Sequence, residues 1–249
     1  MIIDKGNYKL YKGSCLDVMD GLISLGVKFD CILADIPQEI TKNEWDMAIP
    51  FKDMWNKLYK LRKNKNTPII LFTNQPFTSK LICSNLKHFK VMKYWQKDRP
   101  SGFLNAKRMP LKDIEEIAIF YEKQPTYNPQ MWEGKENHSI GKVEGEDICK
   151  NNNNYGNFGR VNTKGNLKYP RQLLQYNRPH PPVHPTEKNV EMLEDLIKTY
   201  TNEGDLILDF TCGSGSTGVA ALNTNRRFVG IELEEKYFEI AKDRLEGVS

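Results

Sequence analysis

The stretch from Asp205 to Glu232 restricts the fold of this chain more than any other. It opens with a short apolar run of strand length, Leu206-Ile-Leu208. A turn of small residues follows, Thr211 to Thr217, holding Gly213, Ser214 and Gly215, with Gly218 just beyond it. Val219-Ala-Ala-Leu222 then starts a helix, and a second apolar run, Arg227 to Ile231, ends on Glu232. Strand, glycine turn, helix, strand and acid, in that order, predict one βαβ unit of an α/β fold. Glycines in the turn let a ligand approach the backbone without side-chain obstruction. An acid about 20 residues after such a turn sits where it can bind a ribose hydroxyl pair. A nucleoside-bearing cofactor suits that arrangement. An ordinary strand-to-helix turn suits it too, because the Gly-x-Gly-x-x-Gly spacing is met only when Gly218 is counted.

Strand and helix alternate through the rest of the chain. Tyr8 to Leu10 reads as a strand, and Leu16 to Leu25 carries Leu16, Met19, Leu22, Ile23 and Leu25 at helical spacing. Phe29 to Ala34 is a buried-type strand that ends on Asp35-Ile36-Pro37-Gln38. Phe51 to Arg62 places Met54, Trp55, Leu58 and Leu61 on one helical side. Pro68 to Phe72, Val91 to Trp95 and Glu116 to Tyr121 are further strands. Gln75 to Leu86, Val190 to Tyr200 and Glu234 to Leu245 are further helices. This alternation predicts a parallel α/β sheet. In open α/β sheets function gathers at the carboxyl ends of strands, so Asp35 is a candidate reaction centre. An Asp in that place is equally well a plain turn residue before proline.

With 249 residues, 39% hydrophobic and 10% aromatic, the chain can build one sizeable domain, or one domain with an insertion. The five cysteines are scattered, with no Cys-x-x-Cys pair, so neither a metal site nor a disulfide framework is expected. No apolar run approaches the ~18 residues of a membrane-spanning helix, and a reducing cytoplasm is the expected compartment. The net charge of +4 matters only where it is concentrated. From Lys150 to Arg178 there are six basic residues and no acid: Lys150, Arg160, Lys164, Lys168, Arg171 and Arg178. Tyr155, Phe158, Tyr169 and Tyr176 are interleaved with them. Cations neutralise phosphates and aromatic rings offer stacking faces to bases, so the segment is a candidate nucleic-acid surface. A solvated polar loop with chance charge has the same composition.

Taken together, the motifs resemble a family. Asp-x-Pro after a strand, a basic insertion, Val183-His-Pro-Thr186 with Lys188, then a glycine turn and an acid is the order of the β-group DNA amino-methyltransferases. Thr41-Lys-Asn-x-Trp-Asp46, Gly102-Phe-Leu-Asn-Ala-Lys107 and Gln124-Pro-Thr-Tyr-Asn-Pro129 extend the resemblance over nearly the whole chain. It is similar to the compact adenine-specific enzymes of phages and mobile elements. The resemblance implies a Rossmann-like α/β fold, a mostly parallel seven-stranded sheet with helices on both faces. It implies a catalytic-motif half over residues 1–122, a target-recognition insertion over 123–182 and a cofactor half over 183–249. The implied cofactor is S-adenosylmethionine. Ser14, Cys15, Asp35, His184, Thr186, Lys188, Asp209, Thr211, Gly213, Ser214, Gly215, Thr217 and Glu232 are the residues implied to hold it.

Asp35, Ile36, Pro37 and Gln38 match the catalytic motif, implying transfer of a methyl group to the N6 amino group of adenine in double-stranded DNA. Restriction-modification enzymes of this kind imply a cognate nuclease and a homodimer. The chain departs from the family pattern at several places. Gln38 stands where an aromatic residue is usual, Ile36 where a proline is usual, and Ser14 where an Asp is usual. Ile114 replaces a common His, and Asn189 a common Pro. A second reading therefore stays open, a catalytically impaired protein of this fold that binds nucleic acid and cofactor without useful turnover.

Overall fold

A computed structural model of the chain describes residues 1–38, 49–136, 165–181 and 187–248. Thr41 to Asp46, Lys150, Arg160, Lys164, His184 and Thr186 lie outside these residues, as do Tyr155 and Phe158.

The elements run β1 (Ile2–Asp4), β2 (Tyr8–Lys12), α1 (Cys15–Ser24), β3 (Cys31–Asp35), α2 (Phe51–Leu61), β4 (Ile69–Thr73), α3 (Phe77–Ser84), β5 (Phe89–Ser101), β6 (Lys112–Phe120), β7 (Trp132–Glu133), β8 (Leu167–Lys168), β9 (Leu173–Gln175), α4 (Val190–Tyr200), β10 (Leu206–Asp209), α5 (Ser216–Asn223), β11 (Arg227–Glu232) and α6 (Glu235–Glu246). They form two compact units, Met1–Asn128 with Gln172–Ser249, and Pro129–Arg171. The described part of the insertion expected over 123–182 is thus divided. Residues 123–128 and 172–181 belong to the larger unit and 129–136 with 165–171 to the smaller.

The larger unit is one sheet in the order β1-β2-β11-β10-β3-β4-β6-β5-β9. β2, β11, β10, β3 and β4 are mutually parallel, and β6 runs against both β4 and β5. Seven of these strands are the ones the sequence predicts. The other two, β1 and β9, are three-residue edge strands too short to show alternation. β3 and β4 are buried on both faces, as parallel strands between helix layers must be. On one face α4, α5 and α6 pack Leu193, Ile197, Ala220 and Phe238 against Leu33, Ile70 and Ile119. On the other, α1, α2 and α3 pack Met19, Met54, Leu58 and Leu81 against Ile32, Leu71 and Phe120. Alternate residues of each strand thus feed opposite cores.

Local chemistry explains the helix starts and turns. Asn189 caps α4, its side-chain oxygen accepting from the Met192 amide at 2.8 Å, which accounts for an Asn at this place. Gly215 caps α5 at φ 78°, a left-handed conformation open to glycine. Gly218 serves packing rather than ligand approach. A Cβ there would lie 2.6 Å from Phe228 and 2.8 Å from Leu245. The first and last elements also meet: Lys5 pairs with Glu246 at 3.4 Å, and β2 lies beside β11.

The smaller unit holds the two-stranded β7–β8 pair. Within it Trp132 donates its indole N–H to the Tyr169 carbonyl at 3.2 Å, and the Arg171 guanidinium lies 5.0 Å from the Trp132 ring centroid.

Candidate active site

The larger unit gathers the described residues of the predicted catalytic and cofactor sets at the carboxyl edge of its sheet, where β2, β11, β10 and β3 end side by side. At the end of β10, Asp209 is buried and accepts from the Thr211 amide at 3.1 Å and from the Thr217 hydroxyl. Burial pushes its carboxyl up to about 7, against the pull of these two hydrogen bonds. At the end of β11, Glu232 accepts from the Gly213 amide at 2.8 Å and, through its other oxygen, from the Glu234 amide at 2.8 Å. Burial also raises this carboxyl, and the backbone donors oppose it. A carboxylate offers about four lone-pair sites, and with the Leu233 amide also directed at Glu232 acceptor capacity is left for a ligand's hydroxyl. The Glu232 carbonyl accepts from Gly13, which puts Ser14 and Cys15, at the start of α1, beside the same strand end. Burial lifts the Cys15 thiol to about 11 and keeps it neutral.

The glycine turn is clamped from behind. Arg244 of α6 donates to the Ser214 carbonyl and hydroxyl, each at 3.0 Å, and to the Ser216 hydroxyl at 3.1 Å. Its other end pairs with Glu187 at 2.8 Å. Arg244 carries no local motif that would mark it in the sequence, and Glu187 lies between Thr186 and Lys188 of a motif that gives it no role.

Asp35 ends β3, next to β10, and the two motifs are joined directly. The Thr211 hydroxyl donates to the Asp35 carbonyl at 3.0 Å across 176 positions of sequence. The Asp35 carboxylate contacts the buried Lys188 ammonium at 2.5 Å. Lys188 reaches Glu115 at 3.3 Å, and Glu115 pairs with Lys97 in turn. Asp35, Lys188, Glu115 and Lys97 so form a row of alternating charge. Burial raises the Asp35 carboxyl and Lys188 opposes it. Burial would depress Lys188, but Asp35 and Glu115 outweigh it and hold the ammonium above its usual value. Burial likewise pushes Glu115 up, while Lys188 and Lys97 hold it below the usual carboxylate range. The row keeps Asp35 supplied with a fixed counter-charge. Ile36 is buried, and the Gln38 amide donates to the Phe72 carbonyl at 3.4 Å.

Of the basic residues read as a nucleic-acid surface, Lys168 and the exposed Arg171 lie in the smaller unit. Arg178 lies in the larger, where its amide donates to Asp98 at 2.8 Å. Tyr176 does not offer a stacking face. Its hydroxyl donates to Asp195, its carbonyl accepts from Trp95, and its ring packs on the core. Among the described residues no cluster of three or more His, Cys, Asp or Glu could hold a metal. No described helix is long and apolar enough to cross a membrane.

A parallel α/β sheet with a glycine turn, a strand-end acid and a second acid on the adjoining strand defines a Rossmann-like protein built for a nucleoside-bearing ligand. The family model described as DNA methylase matches residues 29–243, and the chain belongs to that family. It is 52% identical over 63 residues to the type II methyltransferase M2.DpnII of Streptococcus pneumoniae, a stretch covering 25% of this chain and 24% of that protein. The first curated relatives are matched over only about a quarter of their own length. The DNA adenine methyltransferase YhdJ of Escherichia coli K12 is 28% identical over 236 residues, 88% of this chain and 77% of its own. The solved structure of the M1.HpyAVI–SAM complex matches with a TM-score of 0.66 at 24% identity, over 96% of this chain and 98% of that one.

Proposed function

We propose that this protein transfers a methyl group from S-adenosylmethionine to the N6 amino group of adenine at a specific sequence in double-stranded DNA. The observation that carries the reading is the Thr211–Asp35 hydrogen bond, which ties the glycine turn to the catalytic motif. The residues present fit the cofactor. Glu232 retains acceptor capacity for a ribose, and Gly213 and Gly215 bring bare backbone to the strand ends. Asp209 and Asp35 supply negative charge for a cationic methionine end. His184, Thr186, Lys188, Ser14, Cys15, Ser214 and Thr217 complete the proposed binding set.

S-adenosylmethionine, when bound, supplies an electrophilic methyl group. The chain's own task is to make a poor nucleophile attack it. The lone pair of an adenine amino group is delocalised into the ring. Asp35, with the following backbone carbonyl, accepts the amino hydrogens and draws the nitrogen toward tetrahedral geometry. The lone pair then points out of the ring plane. Such catalysis is positioning and electrostatics, and the Lys188–Glu115–Lys97 row fixes the acceptor in place. The base must first leave the duplex stack, and Gln38, three residues after Asp35, is assigned to meet its edge. Lys150, Arg160, Lys164, Lys168, Arg171 and Arg178 are assigned to the DNA backbone. The reading extends to a homodimer, a cognate restriction nuclease and the cytoplasm as working compartment. Relatives that are methyltransferases by name lend the impaired reading no support.

The test is labelled methyl transfer to genomic DNA from an unmethylated host, followed by nucleoside chromatography. Wild-type protein yields N6-methyladenine, and Asp35→Asn loses transfer, while its calorimetric binding of S-adenosylmethionine weakens but remains measurable. Label in N4-methylcytosine alone, or none at all, overturns the proposal.

A further inference from the structure

The tip of the hairpin joining β5 to β6 has no part in the site described so far, yet the hairpin rises from the same sheet edge. β4 ends at Thr73, opposite Glu116, while the β5–β6 ladder continues to Gln96 with Ile114 and to Ser101 with Lys112. β5 runs in the direction of β3 and β4, so this overhang projects past the carboxyl edge where Asp35 sits. Its root holds Glu115 and Lys97, the outer members of the charge row. Its tip turns through Gly102 at φ 86° into the short 3-10 helix Phe103–Asn105.

That tip is apolar and open. Phe103 is 82% exposed and Leu104 99%, with Met109 at 58%. Single exposed apolar residues are common on protein surfaces, but adjacent ones at the end of a hairpin are not needed for folding. Between Asp98, which pairs with Arg99 at 3.4 Å, and Asp113, the run around them contains Arg99, Lys107, Arg108 and Lys112 and no acid. A self-complementary contact with a second copy would set these cations against themselves. A polyanion with an apolar interior meets both properties at once.

We propose that the β5–β6 hairpin is a DNA wedge: Phe103 and Leu104 enter the base stack beside the target nucleotide, and Lys107 and Arg108 bind the flanking phosphates. The inference rests on the reading of the chain as a DNA methyltransferase. A base leaving the duplex opens a gap, and an apolar side chain that fills it holds the helix open while Asp35 engages the base.

The experiment compares wild type, Phe103→Ser with Leu104→Ser, and Lys107→Gln with Arg108→Gln. All these side chains are exposed, and unchanged melting temperatures confirm intact folding. On duplex genomic DNA, single-turnover methyl transfer by the tip variant falls roughly tenfold or more, the order of effect of losing a stacking contact. On the same DNA heat-denatured the loss is much smaller, because the bases are already unstacked. In fluorescence anisotropy with a short labelled duplex, the charge variant lowers the salt slope by about 1–2 units. Wild-type behaviour of both variants on duplex overturns the wedge, as does an equal loss on duplex and denatured DNA. So does a tip variant that only changes the sedimenting species, which would mark a contact between copies. If wild type methylates no DNA at all, the activity reading falls. The wedge then stands or falls on whether duplex anisotropy weakens in the tip variant.

Discussion

Asp209 shows how a buried acid carries two demands. Its carboxyl, raised by burial to about 7 from the 3.8 of an exposed Asp, keeps its proton in the folded chain over a range where the unfolded chain has lost it. Its contribution to stability is therefore full below about pH 4 and is lost as the pH rises to 7 and beyond. Asp209→Asn removes that loss. The variant should gain on the order of a few kcal/mol over wild type at pH 8, with the gap closing toward pH 4. Denaturant unfolding at both pH values checks this, and a difference independent of pH would contradict it. Glu115 makes a contrasting case. Glu115→Gln leaves Lys97 without its carboxylate and Lys188 with Asp35 alone. Breaking a buried ion pair in this way costs roughly 3–5 kcal/mol, so the melting temperature should fall, and methyl transfer should fall with it. Replacing Glu115 and Lys97 together by Met should recover stability but not transfer, because Lys188 still lacks its second anchor. Recovery of both would show that the row is structural only.

The strands and helices were legible in the sequence because each has a periodicity of its own. The Phe29–Ala34 run becomes β3, and the spacing of Met54, Trp55, Leu58 and Leu61 becomes the buried side of α2. The short edges β1 and β9 carry no such period and exist only because a neighbouring strand offers hydrogen bonds. The site divides along the same line. Asp35, Glu232 and the turn residues announce themselves by their position at strand ends. Glu115 and Lys97 do not, since they meet through the antiparallel register that sets Trp95 opposite Glu115. Arg244 likewise reaches the turn only because α6 packs beside it. The role of Gly218 was visible only in the packed α5–β11 pair. Gly218→Ala drives a methyl group into Phe228 and Leu245 and should destabilise the protein by about 1–3 kcal/mol in denaturant unfolding. A neutral result would mean that α5 can move outward freely.

The sheet is laced from both directions. β10 and β11, late in the chain, lie between β2 and β3, both early, so neither end of the sequence holds a complete core. Lys5 and Glu246 touch on the far side of the same seam. Lys5 is separated from residue 1 by the length of β1, which runs back along β2 to Lys12, so a linker spanning that strand would close the backbone into a ring, and the order in which its motifs are read depends on where such a ring is cut. Bridging residues 1 and 249 with a flexible linker long enough to run the length of β1, and reopening the chain between Arg171 and Gln172, would place the glycine turn before Asp35 in sequence. The Thr211–Asp35 bond and the charge row would be left as they are. Such a permuted chain should fold, bind S-adenosylmethionine with wild-type affinity by calorimetry, and transfer methyl groups at a comparable rate. Loss of folding would show that the β1–β2 end needs to be free. Two proteins with opposite motif order can therefore share one active centre, and alignment from end to end would miss the kinship that the strand order makes plain.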